Sequence, residues 1–352
     1  MNDVVNALAA AVADACARYS GTDAVTAGAG GGWNSRLWTA LEQIGVTTVS
    51  VPEERGGAGG DVFTAVALLE VLGRYSAAVP LTETALLAGW LLASSGMEVP
   101  PGPMTAGVAS PGLLSRQQGG HWATSGTVAR VPWARWASHI AVLDTGRVIL
   151  LRPGDFRVQE GVNLAGEPRD DVSVDGTVPA SRVRELPPGS PAWAQAFRQR
   201  AALGRAAMMA GAARQALELS VAYAGQREQF GRPIGKFQAV QQYLAAMAGE
   251  VLLSRVAAEA AALAVDAGSG ADLAVAAAKA VAGQAAGQVT ALAHQVHGAI
   301  GFTGEHPLRH STTRLWAWRD EAGNEEEWSA ALGQRALGAG TQGLWPLLTG
   351  TQ

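Results

Sequence analysis

The sequence predicts a multidomain chain of α and β structure in three parts: an N-terminal all-α domain, a small middle antiparallel β-domain and a C-terminal four-helix bundle. Three observations predict it. Apolar residues recur at helical spacing from Leu37 to about Leu92, short β-prone runs take over after Pro100-Pro101-Gly102-Pro103, and the helical period returns after Pro191 and persists. The boundaries fall at residues 1–102, 103–190 and 191–352.

At 352 residues the chain has room for two or three domains, and 48% hydrophobic content is enough for real cores. The formal charge is −4, and the basic residues are scattered arginines with only two lysines, Lys236 and Lys279, which argues against a nucleic-acid surface. A single cysteine, Cys16, excludes a disulfide framework and a cysteine metal cluster. No apolar run approaches the roughly 20 residues of a membrane span; the best, Ala85 to Ala93, is about half that length. Met1-Asn2-Asp3 lacks the basic start of a secretory signal, so the expectation is a soluble protein of the reducing cytoplasm. Glycine is the outlier, 44 residues against a usual background of about 7%. No Gly-X-Gly-X-X-Gly follows a strand, so a doubly wound nucleotide-binding fold is not supported.

The elements follow in order. Residues 21 to 32 are mostly Gly, Ala and Thr and predict a mobile loop, Gly28 to Gly32 in particular. Leu37, Leu41 and Ile44 mark one helix and Val62, Val66, Leu69 and Leu72 the next, joined by the Pro- and Gly-rich loop Val51 to Gly60. In the middle part Ile140 to Leu143, a turn at Asp144-Thr145-Gly146, Val148 to Leu151 and Val172 to Val174 read as strands, and Pro187 to Pro191 closes the domain. Four long helical segments then run over Ala202 to Ala224, Val240 to Ala267, Leu273 to His297 and Thr313 to about Leu337, Ala-rich enough for close helix approach.

Two blocks carry chemistry. In the first, Arg227-Glu228-Gln229-Phe230-Gly231-Arg232-Pro233-Ile234-Gly235-Lys236-Phe237-Gln238, a guanidinium and an amide stand where a helix gives way to a Gly-Pro turn, suited to diphosphate oxygens, with the Phe230 ring beside them. In the second, Gln295-Val296-His297-Gly298-Ala299-Ile300-Gly301-Phe302-Thr303, the glycines let backbone N–H groups approach an anion closely. Read singly, Arg227 fits a surface ion pair and Gly298 a helix cap; the pair of blocks in this order, about 60 residues apart, is more specific.

Together the blocks resemble the two signatures of the acyl-CoA dehydrogenase family, and the loop Pro52 to Gly60 with its following helix is similar to that family's N-terminal domain. The resemblance implies FAD as cofactor, with Arg227, Gln229, Phe230 and Gln238 as contacts, and Gln295, Gly298 and Gly301 contacting the FAD of a neighbouring subunit. It implies an oligomer, homo- or heteromeric, dimer or tetramer, built through the C-terminal bundles. It also implies an acyl-CoA or related thioester substrate, oxidised to the α,β-unsaturated product, and an electron-transferring flavoprotein as acceptor. No metal is expected.

Two departures stand out. The family's flavin-side strand and Trp-X-Thr segment correspond here to Thr105-Ala106-Gly107-Val108-Ala109-Ser110-Pro111 and Arg130-Val131-Pro132-Trp133, leaving Trp133 or Trp136 to stack near a flavin or to serve as core or interface. Removal of an α-proton needs a poised carboxylate, and the family's usual Glu falls on Ala322, followed by Gly323. An alternative base location falls near Ala201, and Glu305 matches an acid the family uses structurally. A one-residue shift brings Glu321 into place as catalytic base; otherwise it is a solvated carboxylate on a charged helix end. Three functions stay open: a self-sufficient dehydrogenase with Glu321 as base, a non-catalytic subunit that completes a partner's FAD site, and a flavin oxidase or monooxygenase on the same fold.

Overall fold

A computed structural model describes residues 3–21, 25, 32–110, 112–187, 193–304 and 306–349. Most of the predicted loop over 21 to 32, the closing run after Pro187 and Glu305 lie outside the described residues. The chain divides into two compact units, Met1–Leu68 with Ala77–Ala201, and Leu69–Ser76 with Ala202–Gln352.

The first unit holds helices α1 (Asp3–Tyr19) and α2 (Ser35–Ile44), and the start of α3 (Val62–Arg74). Asn34 caps α2, its Oδ1 accepting from Leu37 N at 3.0 Å, and Gly45 ends it at φ 85°, donating to Leu41 O and Glu42 O. A π-helical stretch over Thr82–Gly89 runs into α4 (Trp90–Ser94). It leads to the sheets because the Thr84 hydroxyl both donates to Met104 O at 2.9 Å and accepts from Met104 N at 3.0 Å.

Strand β1 (Met104–Val108) starts there, followed by β2 (Leu114–Gln118), β3 (His121–Pro132), β4 (His139–Asp144), β5 (Arg147–Leu151), β6 (Arg157–Gln159), β7 (Arg169–Pro179) and β8 (Val183–Glu185). They form two four-stranded sheets, ordered β1-β4-β5-β8 and β2-β3-β7-β6. The ladders are antiparallel except β1 with β4, a parallel pair in which Met104 faces His139. A strand that enters from a helical segment is free to pair parallel, so local hairpin signals miss this detail. Alternation explains the packing: Ile140 and Val142 join Val128, Val172 and Val174 in the core of the β-structure, while Ala141 and Leu143 turn the other way onto Leu87, Leu91 and Leu92. Strand β4 is therefore apolar on both faces and carries no polar alternation.

The second unit is the C-terminal bundle. Helix α5 (Trp193–Gln226) enters it at Ala202, and a two-stranded hairpin, β9 (Glu228–Gln229) with β10 (Arg232–Pro233), leads to α6 (Gln238–Ala267) and α7 (Ala271–His297). The fourth predicted segment is two helices, α8 (Leu308–Asp320) and α9 (Glu325–Thr349). The break falls where Ala322 and Gly323 take φ of 59° and 100°, left-handed values that stop an α-helix.

Candidate functional site

The first block lies where α5 ends. Its hairpin turns through Phe230 (φ 52°) and Gly231 (φ 74°), the two positive values a two-residue turn of this hand requires. Glycine takes such values freely, whereas a phenylalanine there is strained. The ring gains nothing from the fold in return: Phe230 is 93% exposed and touches Phe237 only edge-on, at 6.1 Å between centroids. Arg227, Gln229 and Gln238 are exposed as well, while the Arg227 carbonyl accepts from Ile234 N at 2.8 Å and ties the hairpin root. The hairpin thus presents a strained, exposed aromatic beside the exposed donors Arg227 and Gln229.

The second block ends α7. Gly298 has φ 64° and ψ −146°, a combination that side chains do not readily adopt, although a Cβ there would meet nothing within 4 Å. Backbone conformation, not space, requires this glycine. Gly301 is the reverse case: it is buried, and a Cβ would stand 3.0 Å from His297 Cβ and 3.1 Å from His294 Nδ1 and Leu308 Cδ2, so a side chain there must push its neighbours aside. Gln295 is exposed. Tyr223, one helical turn before Arg227, stacks on His297 at 4.6 Å and brings the roots of the two blocks together within this unit.

Imidazoles support the Gly298 turn. His297 Nδ1 donates to Ala293 O at 2.8 Å, His306 meets His297 edge-on at 4.8 Å, and His294 stacks on Phe302 at 4.0 Å. Burial lowers the pKa of His294, His297, His306 and His310, so each favours its neutral form in the fold. Between the lowered folded values and the unfolded value near 6.5, the unfolded chain binds more protons, so this contribution to stability is present above about pH 6.5 and is lost as pH falls. Thermal melts at pH 7.0 and 5.5, above the carboxylate range, should show a lower midpoint at pH 5.5; an unchanged midpoint refutes the linkage.

The third place is the junction between α8 and α9, where the base was sought. Ala322 presents a methyl group. Glu321 precedes it in extended backbone, and its Oε2 accepts from Arg205 Nε at 2.6 Å, with the two side chains only 16% and 6% exposed. Lys279 on α7 is fully buried and its Nζ donates to Arg319 O at 2.6 Å and Gly323 O at 2.7 Å. Desolvation pushes its pKa down to about 8 against the opposing pull of Glu321, Glu325 and Asp320. Trp328 Nε1 donates to Ala322 O at 3.1 Å, Asn324 Oδ1 accepts from Glu327 N at 3.0 Å, and Arg319 pairs with Glu325. Sequence reasoning passed over Arg205 and Lys279. The available signal was an isolated cation in an Ala-rich helix, Lys279 being one of only two lysines.

The alternative location, Ala201, belongs to the first unit and packs on the apolar cluster around Leu87 and Leu91. Of the two tryptophans that could stack near a flavin, Trp133 is buried at 3% exposure with φ 58°, a core residue, while Trp136 is 42% exposed and stacks on Trp33 at 6.4 Å. Thr105 holds the end of β3, its hydroxyl donating to Pro132 O at 2.5 Å. Among the described residues no group of three His, Cys, Asp or Glu is placed to hold a metal, and no helix is long and apolar enough to cross a membrane.

A chain with a helical start, a β-domain and an Ala-rich bundle carrying these two blocks fits one family, and comparison with known proteins agrees. The family description "Acyl-CoA dehydrogenase, N-terminal domain" matches residues 3–99, and "Acyl-CoA dehydrogenase, C-terminal domain" matches residues 192–334. Acyl-CoA dehydrogenase IpdE2 of Mycolicibacterium smegmatis is 31% identical over 282 residues, covering 79% of this chain and 80% of that protein. Among solved structures, the ChsE4-ChsE5 complex from Mycobacterium tuberculosis is similar at a TM-score of 0.84 and 26% identity, over 96% of this chain and 98% of the matched one. Butyryl-CoA dehydrogenase from Megasphaera elsdenii shares the fold at a TM-score of 0.87 and 22% identity, over 96% and 99% of the two chains. This chain belongs to the acyl-CoA dehydrogenase family of oxidoreductases.

Proposed function

We propose that this chain serves FAD-dependent α,β-dehydrogenation of an acyl-CoA thioester as one of two different subunits, contributing FAD-binding residues while its partner carries the base. The observation behind this reading is the junction: a methyl at residue 322, and the neighbouring carboxylate of Glu321 engaged by the buried Arg205 guanidinium. A carboxylate that accepts the α-proton must give up such a partner, which opposes its use as a base.

The exposed residues of both blocks fit FAD. Arg227, Gln229 and Gln295 offer donors to diphosphate oxygens, Phe230 offers an uncovered ring, Gln238 stands at the start of α6, and Gly298 leaves open space where a side chain would otherwise project. Gly301 belongs to the set as the residue that lets the turn pack down. Bound FAD supplies the two-electron acceptor for the β-hydrogen, and an electron-transferring flavoprotein is the proposed onward acceptor. Subunit contact is supported by Leu252, Val256 and Leu263 of α6, more than half exposed and spaced as one helix face. The ChsE4-ChsE5 structure is named as a complex of two chains, which supports a heteromeric reading. The division at 1–102, 103–190 and 191–352 is part of the proposal.

A second reading makes the chain self-sufficient with Glu321 as base, favoured by that carboxylate's low exposure one residue before Ala322. Expression alone and with a companion chain of the same family separates the two. The proposal expects the visible absorption of bound flavin, and its bleaching by acyl-CoA, only in the co-expressed complex; stoichiometric flavin and turnover from the chain alone would sink it. Within the complex, Arg227→Ala should weaken FAD retention about 10- to 100-fold, as expected for loss of charge-assisted hydrogen bonds worth ~1.5–3 kcal/mol. Retention unchanged in that variant removes Arg227 from the site.

A further inference from the structure

A buried ammonium on α7 does something the two blocks do not require. Lys279 is a lone cation on an Ala-rich helix face, with no exposure, and its Nζ spans the α8–α9 junction, donating to the carbonyls of Arg319 and Gly323. These carbonyls stand on either side of Glu321 and Ala322. One turn further along α7, Gly283 makes room for the start of α9, since a Cβ there would be 2.7 Å from Glu325 Cβ. The other charges that act on the ammonium are Glu321, Glu325, Asp320 and Arg205. Both the reach of Lys279 and the smallness of Gly283 thus serve one segment.

A turn with two left-handed residues, Ala322 and Gly323, has no regular ladder to hold it. Its carbonyls are satisfied instead by Lys279 and, at Ala322, by the Trp328 indole. We infer that Lys279 is a positioning residue: by bridging both ends of the turn it fixes the backbone of residue 322 and keeps the Glu321 carboxylate on Arg205. This rests on the reading of the junction as this chain's counterpart of the base position. It needs neither FAD nor turnover to be tested, so its failure and that of the subunit proposal are separable.

The chain has two lysines, Lys236 and Lys279, and Lys236 is exposed. Labelling the full-length protein with lysine carrying carbon-13 at Cε therefore gives two signals, assigned by Lys236→Arg. The Lys279 signal should titrate near pH 8, and Glu321→Gln should move that titration lower by several tenths of a pH unit or more, because an anion facing the ammonium is removed. In Lys279→Met, hydrogen exchange over residues 319–324 should rise tenfold or more while α6 keeps its protection; Lys279→Gln serves where the Met variant does not fold. Unchanged protection at 319–324 in a folded variant, or a Lys279 titration that ignores Glu321→Gln, overturns the assignment. Neither readout follows from generic core packing, which would loosen the bundle without coupling to Glu321.

Discussion

Gly73→Ala and Gly211→Ala should each lower the thermal midpoint by about 10 °C, a large effect for a single added methyl group. In the second unit the last turns of α3 cross α5 with backbone against backbone. A Cβ on Gly73 would stand 2.0 Å from Met208 O, and one on Gly211 only 1.9 Å from Glu70 O, with Arg74 N at 2.7 Å. Backbone cannot rotate aside as a side chain can, so the two helices must separate. Overpacking of this kind costs about 3 kcal/mol or more, and at roughly 2–4 °C per kcal/mol for a unit of this size the shift follows. Separation also strains the charges that flank the crossing: Arg74 with Glu218 at 2.8 Å, Arg214 with Glu70 at 3.8 Å and Arg255 with Glu70 at 3.5 Å. Burial raises the pKa of Glu70 even against those arginines, so it loses most when they move. Gly333→Ala is the control. That helical glycine is exposed with nothing within 4 Å, and alanine there should stabilise by about 0.5–1 kcal/mol. Equal midpoints for Gly73→Ala and Gly333→Ala would show that the crossing tolerates a side chain.

The glycine content that sets the composition apart thus has several physical causes, and the sequence separates only some of them. Gly298 and Gly231 stand inside recognisable blocks, so their backbone roles were legible. Gly73 and Gly211 lie in unremarkable helical runs, and only the three-dimensional crossing shows why each lacks a Cβ. Helical period revealed α2, α3 and the long bundle helices because each buries one face. It failed at Asp320 to Glu325 because Lys279, 40 residues upstream, is what stabilises the turn there, and a long-range donor leaves no local pattern. The exposed half of the candidate site, Arg227, Gln229, Phe230, Gln238, Gln295 and Gly298, was open to proposal from the sequence by resemblance. Its buried half, Arg205 and Lys279, was not, since an isolated cation in an alanine helix reads equally well as a solvated face.

Arg205→Met should destabilise the chain by about 3 kcal/mol at neutral pH, and Glu321→Gln added to it should restore most of the loss. The guanidinium is nearly buried, and its removal takes the 2.6 Å partner from a Glu321 carboxylate that is itself only 16% exposed. Breaking one partner of such a pair costs about 3–5 kcal/mol, mainly because the remaining charge is left uncompensated. Neutralising that charge removes the penalty, so the double-mutant cycle should show coupling well above the 0.5 kcal/mol of additive error. An additive result would mean that Arg205 acts through packing, including its contact with Met208 Sδ at 3.6 Å. The same Glu321→Gln variant decides the chemistry when assayed in the complex. A base loses on the order of 10²–10⁴-fold in turnover when its carboxylate becomes an amide, whereas a carboxylate that only anchors a junction leaves turnover within a few-fold. The Arg205 pairing predicts the second outcome. Loss of turnover with flavin content and the Lys279 titration otherwise intact would make Glu321 the proton acceptor and this chain a dehydrogenase in its own right.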